Sequence, residues 1–164
     1  MNTAQHGLDS PVLHIDEDAP VISRADILIS APLEVIWNIQ TNISAWPDWR
    51  PSVVAARLDG ALQAGTAFHW EEGGLKIIST LQEIRPMHRI VWTGPAQGID
   101  AVHVWEFAAT PDGVHVHTEE SWVGDVVVEK QGDLQPLLDA ALKEWLRLLK
   151  QQSEAASANT VQQV

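Results

Sequence analysis

Between Leu134 and Gln152 the apolar residues fall at 134, 137, 138, 141, 142, 145, 148 and 149. Steps of three and four draw one broad greasy stripe along a helix. A helix this long and this one-sided must cover a wide apolar surface. The chain upstream offers such a surface in a run of strand-like segments, and few architectures bury both at once.

The first of these segments is Val21 to Ile29, with apolar residues at Val21, Ile27 and Ile29. Ser30 is the expected N-cap of a short helix over Pro32–Gln40, with Pro32 in its first turn and Glu34 near its positive end. Pro47 and Pro51 then break the chain around a second short helical turn. Trp46 and Trp49, three apart in that turn, share one face. Strands are expected at Val53–Leu58, Thr66–Glu72, Leu75–Ile84, His88–Thr93, Ile99–Ala109 and Val114–Val123. Gly73-Gly74 is a two-residue hairpin signal, and Thr110-Pro111-Asp112-Gly113 a strong turn signal. Asp133 is the expected cap of the terminal helix, Leu134–Gln152. The expected architecture is α+β, a helix grip. A curved seven-stranded antiparallel sheet wraps around the long C-terminal helix, with two short helices between strands 1 and 2. Residues 1–19 are expected to form a flexible arm, 20–153 a single ligand-binding domain and 154–164 a frayed tail.

Charge narrows the range of partners. With 22 acidic against 10 basic residues the formal net charge is −12. Such a chain repels nucleic acid and anionic membranes, and neither is an expected partner. The start of the chain has neither a basic stretch nor an apolar core, so it does not read as a signal peptide. No apolar run reaches membrane-spanning length. Absent cysteine rules out disulfides and thiol chemistry, and a cytoplasmic protein is expected. Monomer and homodimer both remain open. The aromatic balance is unusual: eight Trp, two Phe and no Tyr. Indoles fill cores, and they also line cavities for flat apolar ligands.

Strand alternation sorts the side chains into two faces. With Ala109 opposite Val114, Phe107 meets Val116, Trp105 meets Thr118, His103 meets Glu120 and Ala101 meets Trp122. That face should look inward. Its reverse, pairing Glu106 with His117 and Val104 with Glu119, should be solvated. In the Gly73-Gly74 hairpin Trp70 and Phe68 oppose Ile77 and Ser79 on the inner face, while Glu71 and Lys76 pair outside. Trp92 joins the inner face, and Leu138, Leu142 and Trp145 close it from the helix. The expected pocket lining is therefore Trp37, Trp46, Trp49, Phe68, Trp70, Ser79, Trp92, Trp105, Phe107, Thr118, Trp122, Leu138, Leu142 and Trp145.

The inner face carries one acid/base pair, His103 and Glu120. Directly opposed residues have Cβ atoms about 5 Å apart, close enough for the side chains to bond. Burial raises a carboxyl pKa and a charged imidazole lowers it, so the two restrain each other. Such a pair can move protons in enolisation, aldol closure or dehydration, or can simply hold the strands together. His115 and His117 share the outer face with Glu106 nearby, too small a set for a metal site, and no metal or cofactor is expected. His69 reads as surface and Asp48 as a turn cap, while Arg50 and Arg57 could reach a carboxylate or phosphate at the pocket rim, with solvated surface the expected role.

The order of elements and the stretches IWNIQTNISAWPDWRPSV (36–53), GTAFHW (65–70), RPMHRIVWTG (85–94), HVWEF (103–107) and HTEESW (117–122) resemble the START-like helix-grip superfamily (SRPBCC). Within it they resemble the bacterial polyketide cyclase/dehydrase branch, over about residues 21 to 152. The resemblance implies a deep apolar pocket between sheet and helix, holding a small hydrophobic or aromatic ligand. It also implies three kinds of activity: a cofactor-independent cyclase or dehydratase, a non-catalytic carrier or sensor, and a chaperone-activating module.

Overall fold

A computed structural model describes residues 10–161. Seven strands form one antiparallel sheet: β1 (Val21–Ile29), β2 (Val53–Leu58), β3 (Ala67–Glu72), β4 (Leu75–Arg85), β5 (Arg89–Ala96), β6 (Ile99–Thr110) and β7 (Gly113–Val123). Their spatial order is β1-β7-β6-β5-β4-β3-β2. Thus β2 to β7 run as a meander, and β1 closes onto the last strand. Helices α1 (Leu33–Thr41) and α2 (Trp46–Trp49) carry the chain from one edge of the sheet to the other. A third short helix, α3 (Asp125–Glu129), precedes the terminal α4 (Gln131–Val161). The sequence gives α3 no periodicity to be seen by, since it has five residues and only Val127 fully buried.

Both expected registers are present. Ala109 faces Val114 and His103 faces Glu120 across β6 and β7, and Phe68 faces Ser79 across β3 and β4. Gly73 and Gly74 take φ of 59° and 80°, the left-handed pair that a tight two-residue hairpin needs.

The helix ends differ from expectation. Ser30 does not cap α1: Pro32 occupies the cap position without a side-chain bond. The Ser30 backbone N–H instead donates to the Glu154 carboxylate at 3.0 Å. Helix α4 starts at Gln131, which places Asp133 inside its first turn rather than at the cap. It also continues past Ser153 to Val161. Ser153 is fully buried and Glu154 also takes a bond from Lys150, while residues 158–160 of the helix are exposed.

The outer face is less solvated than the alternation suggests. Val91 and Val104, both fully buried, lie under Ile15 from the N-terminal arm. Arg89 donates to the Leu13 carbonyl at 2.6 Å, and the Asp16 N–H donates to the Ser121 hydroxyl at 3.0 Å, tying the arm across the sheet. The first nine residues of that arm lie outside the described residues.

On the inner face, β5 runs close over β4 at Gly94. A Cβ there would sit 2.8 Å from the Ser79 hydroxyl and 3.4 Å from Ile77 Cγ2. Gly94→Ala is therefore expected to cost about 1–3 kcal/mol of stability by overpacking. Urea denaturation checks this, and adding Ser79→Ala should restore part of the loss, since the two sites share one clash.

Candidate active site

Strand pleating and the closure of α4 bring the expected lining residues together. Phe68, Ser79, Trp105, Thr118, Leu138 and Leu142 have essentially no exposed surface, and Trp37, Trp46, Trp49, Trp92, Phe107 and Trp145 are buried. Trp70 and Trp122 are half-buried and front the interior. The rings pack on one another rather than standing apart around an open void. Trp145 sits at the hub, with ring centroids 5.2 Å from Trp46, 5.1 Å from Trp105 and 5.3 Å from His103. Trp37 meets Phe107 edge-on at 5.4 Å. Two open depressions of about 350 and 360 Å³ lie towards the outer side and the sheet margin, and no tryptophan lines either. The space expected between sheet and helix is thus occupied by indoles.

Two residues whose burial the sequence pattern did not predict organise this interior. Gln40 accepts the Trp46 indole N–H on its backbone carbonyl at 2.9 Å and the Trp145 indole N–H on its side-chain oxygen at 3.1 Å. Gln40 ends the apolar face of α1, and its polarity hid its fully buried position. Arg50, expected at the surface, is 3% exposed. Its guanidinium lies 3.4 Å from the Trp145 ring centroid and bonds Glu72 at 2.8 Å. The visible signal was its place one residue after the tryptophan turn, where the chain must pass under β3. Burial pulls the Arg50 pKa down to about 10, against the restoring effect of Glu72.

The acid/base pair is in contact. His103 Nδ1 stands 3.2 Å from Glu120 Oε2. On the other side of the ring, His103 Nε2 stands 2.8 Å from the Thr118 hydroxyl oxygen. Thr118 gives its only hydroxyl proton to the Val104 carbonyl, at 3.0 Å. Its oxygen can therefore only accept from the imidazole, so Nε2 carries a proton. Burial, helped by the nearby Arg50 charge, lowers the His103 pKa well below 6.5. The ring is neutral and Nδ1 is bare. Below a pH of about 7 the Glu120 carboxyl keeps its proton beside that bare nitrogen. Burial raises its pKa to about 7, opposed by the bond from the Trp122 indole and raised further by the Glu72 charge. Trp122 Nε1 donates to Glu120 Oε1 at 2.7 Å. The chain of hydrogen bonds runs from His103 to Thr118 and the backbone, and the Glu120 carboxyl stands 3.2 Å beyond Nδ1. Glu120 is its outer end, with a side chain 13% exposed against 3% for His103.

Stability should report this protonation state. Glu120 is raised from 4.5 to about 7, so its contribution is full below pH 4.5 and lost as pH climbs to about 7. His103 is lowered from 6.5, so its contribution is full above pH 6.5 and lost as pH falls. The two slopes oppose each other between pH 4.5 and 6.5. Single substitutions unmask them. Glu120→Gln leaves stability rising with pH in that window. His103→Gln leaves it falling, by on the order of 3 kcal/mol up to neutrality. Urea denaturation across the window reads both slopes, and parallel slopes in the two variants would contradict the assignment.

The outer histidines form no metal group, and none of three or more ligating side chains exists among the described residues. His115 and His117 both contact Asp26 Oδ1 at 2.9 Å, not Glu106, which pairs with Arg89. His69 contacts Asp59 at 2.7 Å on the outside, as expected. Among the described residues no helix is long and apolar enough to cross a membrane.

Comparison with known proteins places this geometry. Residues 20–158 match the family model described as polyketide cyclase / dehydrase and lipid transport. A candidate polyketide cyclase from Streptomyces cyaneus is 25% identical over 130 residues, 73% of this chain and 79% of that protein. Solved structures share the fold at lower identity. A hypothetical protein of Helicobacter pylori superposes with a TM-score of 0.76 at 17% identity, over 85% of this chain and 91% of its own. A START superfamily protein of Mycobacterium smegmatis gives 0.63 at 13%, over 85% and 98%. The di-domain ARO/CYC protein StfQ of the steffimycin biosynthetic pathway gives 0.67 at 15%, over 84% of this chain and 52% of its own.

Proposed function

The chain belongs to the polyketide cyclase / dehydrase and lipid transport family, and from that premise we propose that it is a cofactor-independent cyclase or dehydratase acting on an aromatic or otherwise apolar metabolite, in the cytoplasm. The observation that carries this reading is the His103–Glu120 pair, 3.2 Å apart beneath a cover of indoles. A carboxyl held at a pKa of about 7 can give or take a proton at neutral pH. When Glu120 Oε1 takes the α-proton of a bound ketone, its Oε2 proton passes to His103 Nδ1, and the substrate is left as an enolate. The return journey gives a proton to a departing hydroxyl, which leaves as water while His103 restores the Oε2 proton. No group outside the pair is needed, and the hydroxyl of Thr118 keeps the ring turned the right way. The rings that pack against each other in this structure must part to admit the substrate. Trp70 and Trp122 are the half-buried tryptophans of this lining.

Incubation with a linear aryl β-polyketone tests the reading, with mass spectrometry following the product. Ring closure with loss of water is expected. The same interior also supports a non-catalytic carrier, since the family description includes lipid transport. In that case the chain would bind the compound and return it unchanged.

A further inference from the structure

Among the described residues, five buried side-chain polar atoms lack a hydrogen-bond partner: Gln40 Nε2, Arg50 Nε, Arg50 Nη1, Trp105 Nε1 and Ser153 Oγ. The first four are all nitrogen donors, and all belong to residues touching or flanking Trp145. Arg50 stacks on that ring at 3.4 Å, Trp105 lies 5.1 Å from it, and Gln40 accepts its indole N–H. Each of these three residues is at most 3% exposed. A buried donor left unmet costs about 1–3 kcal/mol, and more when it is charged. Stacking on Trp145 and the single bond to Glu72 offset only part of that for Arg50. The site therefore has a surplus of donors of one kind, with one fixed positive charge among them and a neutral acid/base pair beside it.

We propose that Arg50 is the anchoring residue of a subsite for an acidic oxygen, so that the ligand of this interior is a flat aromatic compound bearing a carboxylate or an enolate. The oxygen meets the free Arg50 donors, and further oxygens on the ligand meet Trp105 Nε1 and Gln40 Nε2. A cationic ligand would meet the like charge of the guanidinium, and a plain hydrocarbon would leave all four donors unmet. Glu72 holds Arg50 through Nη2, the one nitrogen already satisfied, and 29% of its side chain is exposed. It acts as the acceptor that the ligand oxygen joins or displaces. This inference rests on the interior being the ligand site, but not on its being catalytic.

The test uses the full chain and the quenching of its tryptophan fluorescence by three naphthalene probes of similar size. 2-Naphthoate supplies the carboxylate, a naphthyl β-diketone the enolate, and 2-naphthylmethanol neither. At least one acidic probe is expected to bind roughly tenfold or more tighter than the alcohol, and the stronger of the two identifies the source of the oxygen. Arg50→Met should erase that preference while the alcohol still binds. Glu72→Gln should strengthen binding of the preferred acid several-fold by removing the competing acceptor, an effect that a merely structural ion pair would reverse. Equal binding of all three probes to the wild type, or a preference that survives Arg50→Met, would overturn the subsite and leave the proposed function standing. Failure of all three probes to bind would remove both.

Discussion

Trp145→Ala is expected to destabilise the protein by about 3–5 kcal/mol, the cost of removing a large buried aromatic side chain. The indole is 4% exposed and supports five other rings besides the Arg50 guanidinium. It also fixes Gln40 through its N–H. Helix α4 cannot settle inward to refill the gap, because Leu142, Leu146 and Leu149 on the same stripe are already packed. Domains of this size are commonly stable by about 5–15 kcal/mol, so the variant would lie near its unfolding threshold at ordinary temperature. Urea denaturation followed by far-ultraviolet circular dichroism measures the loss. Trp122→Ala serves as the control: this indole is half-buried and should cost clearly less. Similar losses for both would mean that Trp145 is not the hub of the interior.

The second large effect is on turnover. His103→Ala and Glu120→Gln should each lower the rate of ring closure by about 10²–10⁴, the usual worth of a positioned acid/base group. Ligand affinity should stay within about tenfold, since neither substitution removes an indole. The two losses should not add: either change breaks the same proton path, so the double variant should be no slower than the worse single one. Thr118→Val separates positioning from chemistry. It removes the acceptor that holds Nε2–H, leaving both acid/base groups in place. Its rate should fall less, and its pH profile should shift as His103 becomes free to take the other tautomer. Unchanged turnover in both His103→Ala and Glu120→Gln would remove the acid/base role.

Period and turn chemistry carried much of the architecture. The period-two alternation of β6 and β7, pinned by the Thr110–Gly113 turn, was enough to place His103 opposite Glu120. The three-and-four spacing of α4 showed which face would meet the sheet. Four features were hidden for physical reasons. Small polar residues after Ser153 have weak apolar periodicity of their own, so their helix left no pattern to read. Val104 looked outward on the pleat, yet the arm bearing Ile15 crosses that face, a contact remote in sequence. The filled interior was the third. Alternation says which way an indole points, but rotamers decide whether the rings line a cavity or close it. Arg50 was hidden for the same kind of reason: its charge argued for water, and only the aromatic cage and Glu72 make its burial tolerable.

Nuclear magnetic resonance of the two ring nitrogens of His103, in uniformly ¹⁵N-labelled protein at mildly acidic pH, is the most direct measurement. The account predicts a neutral imidazole with hydrogen on Nε2 and none on Nδ1, and a Glu120 carboxyl that stays protonated until near neutrality. An imidazolium carrying both hydrogens beside an ionised Glu120 would contradict it.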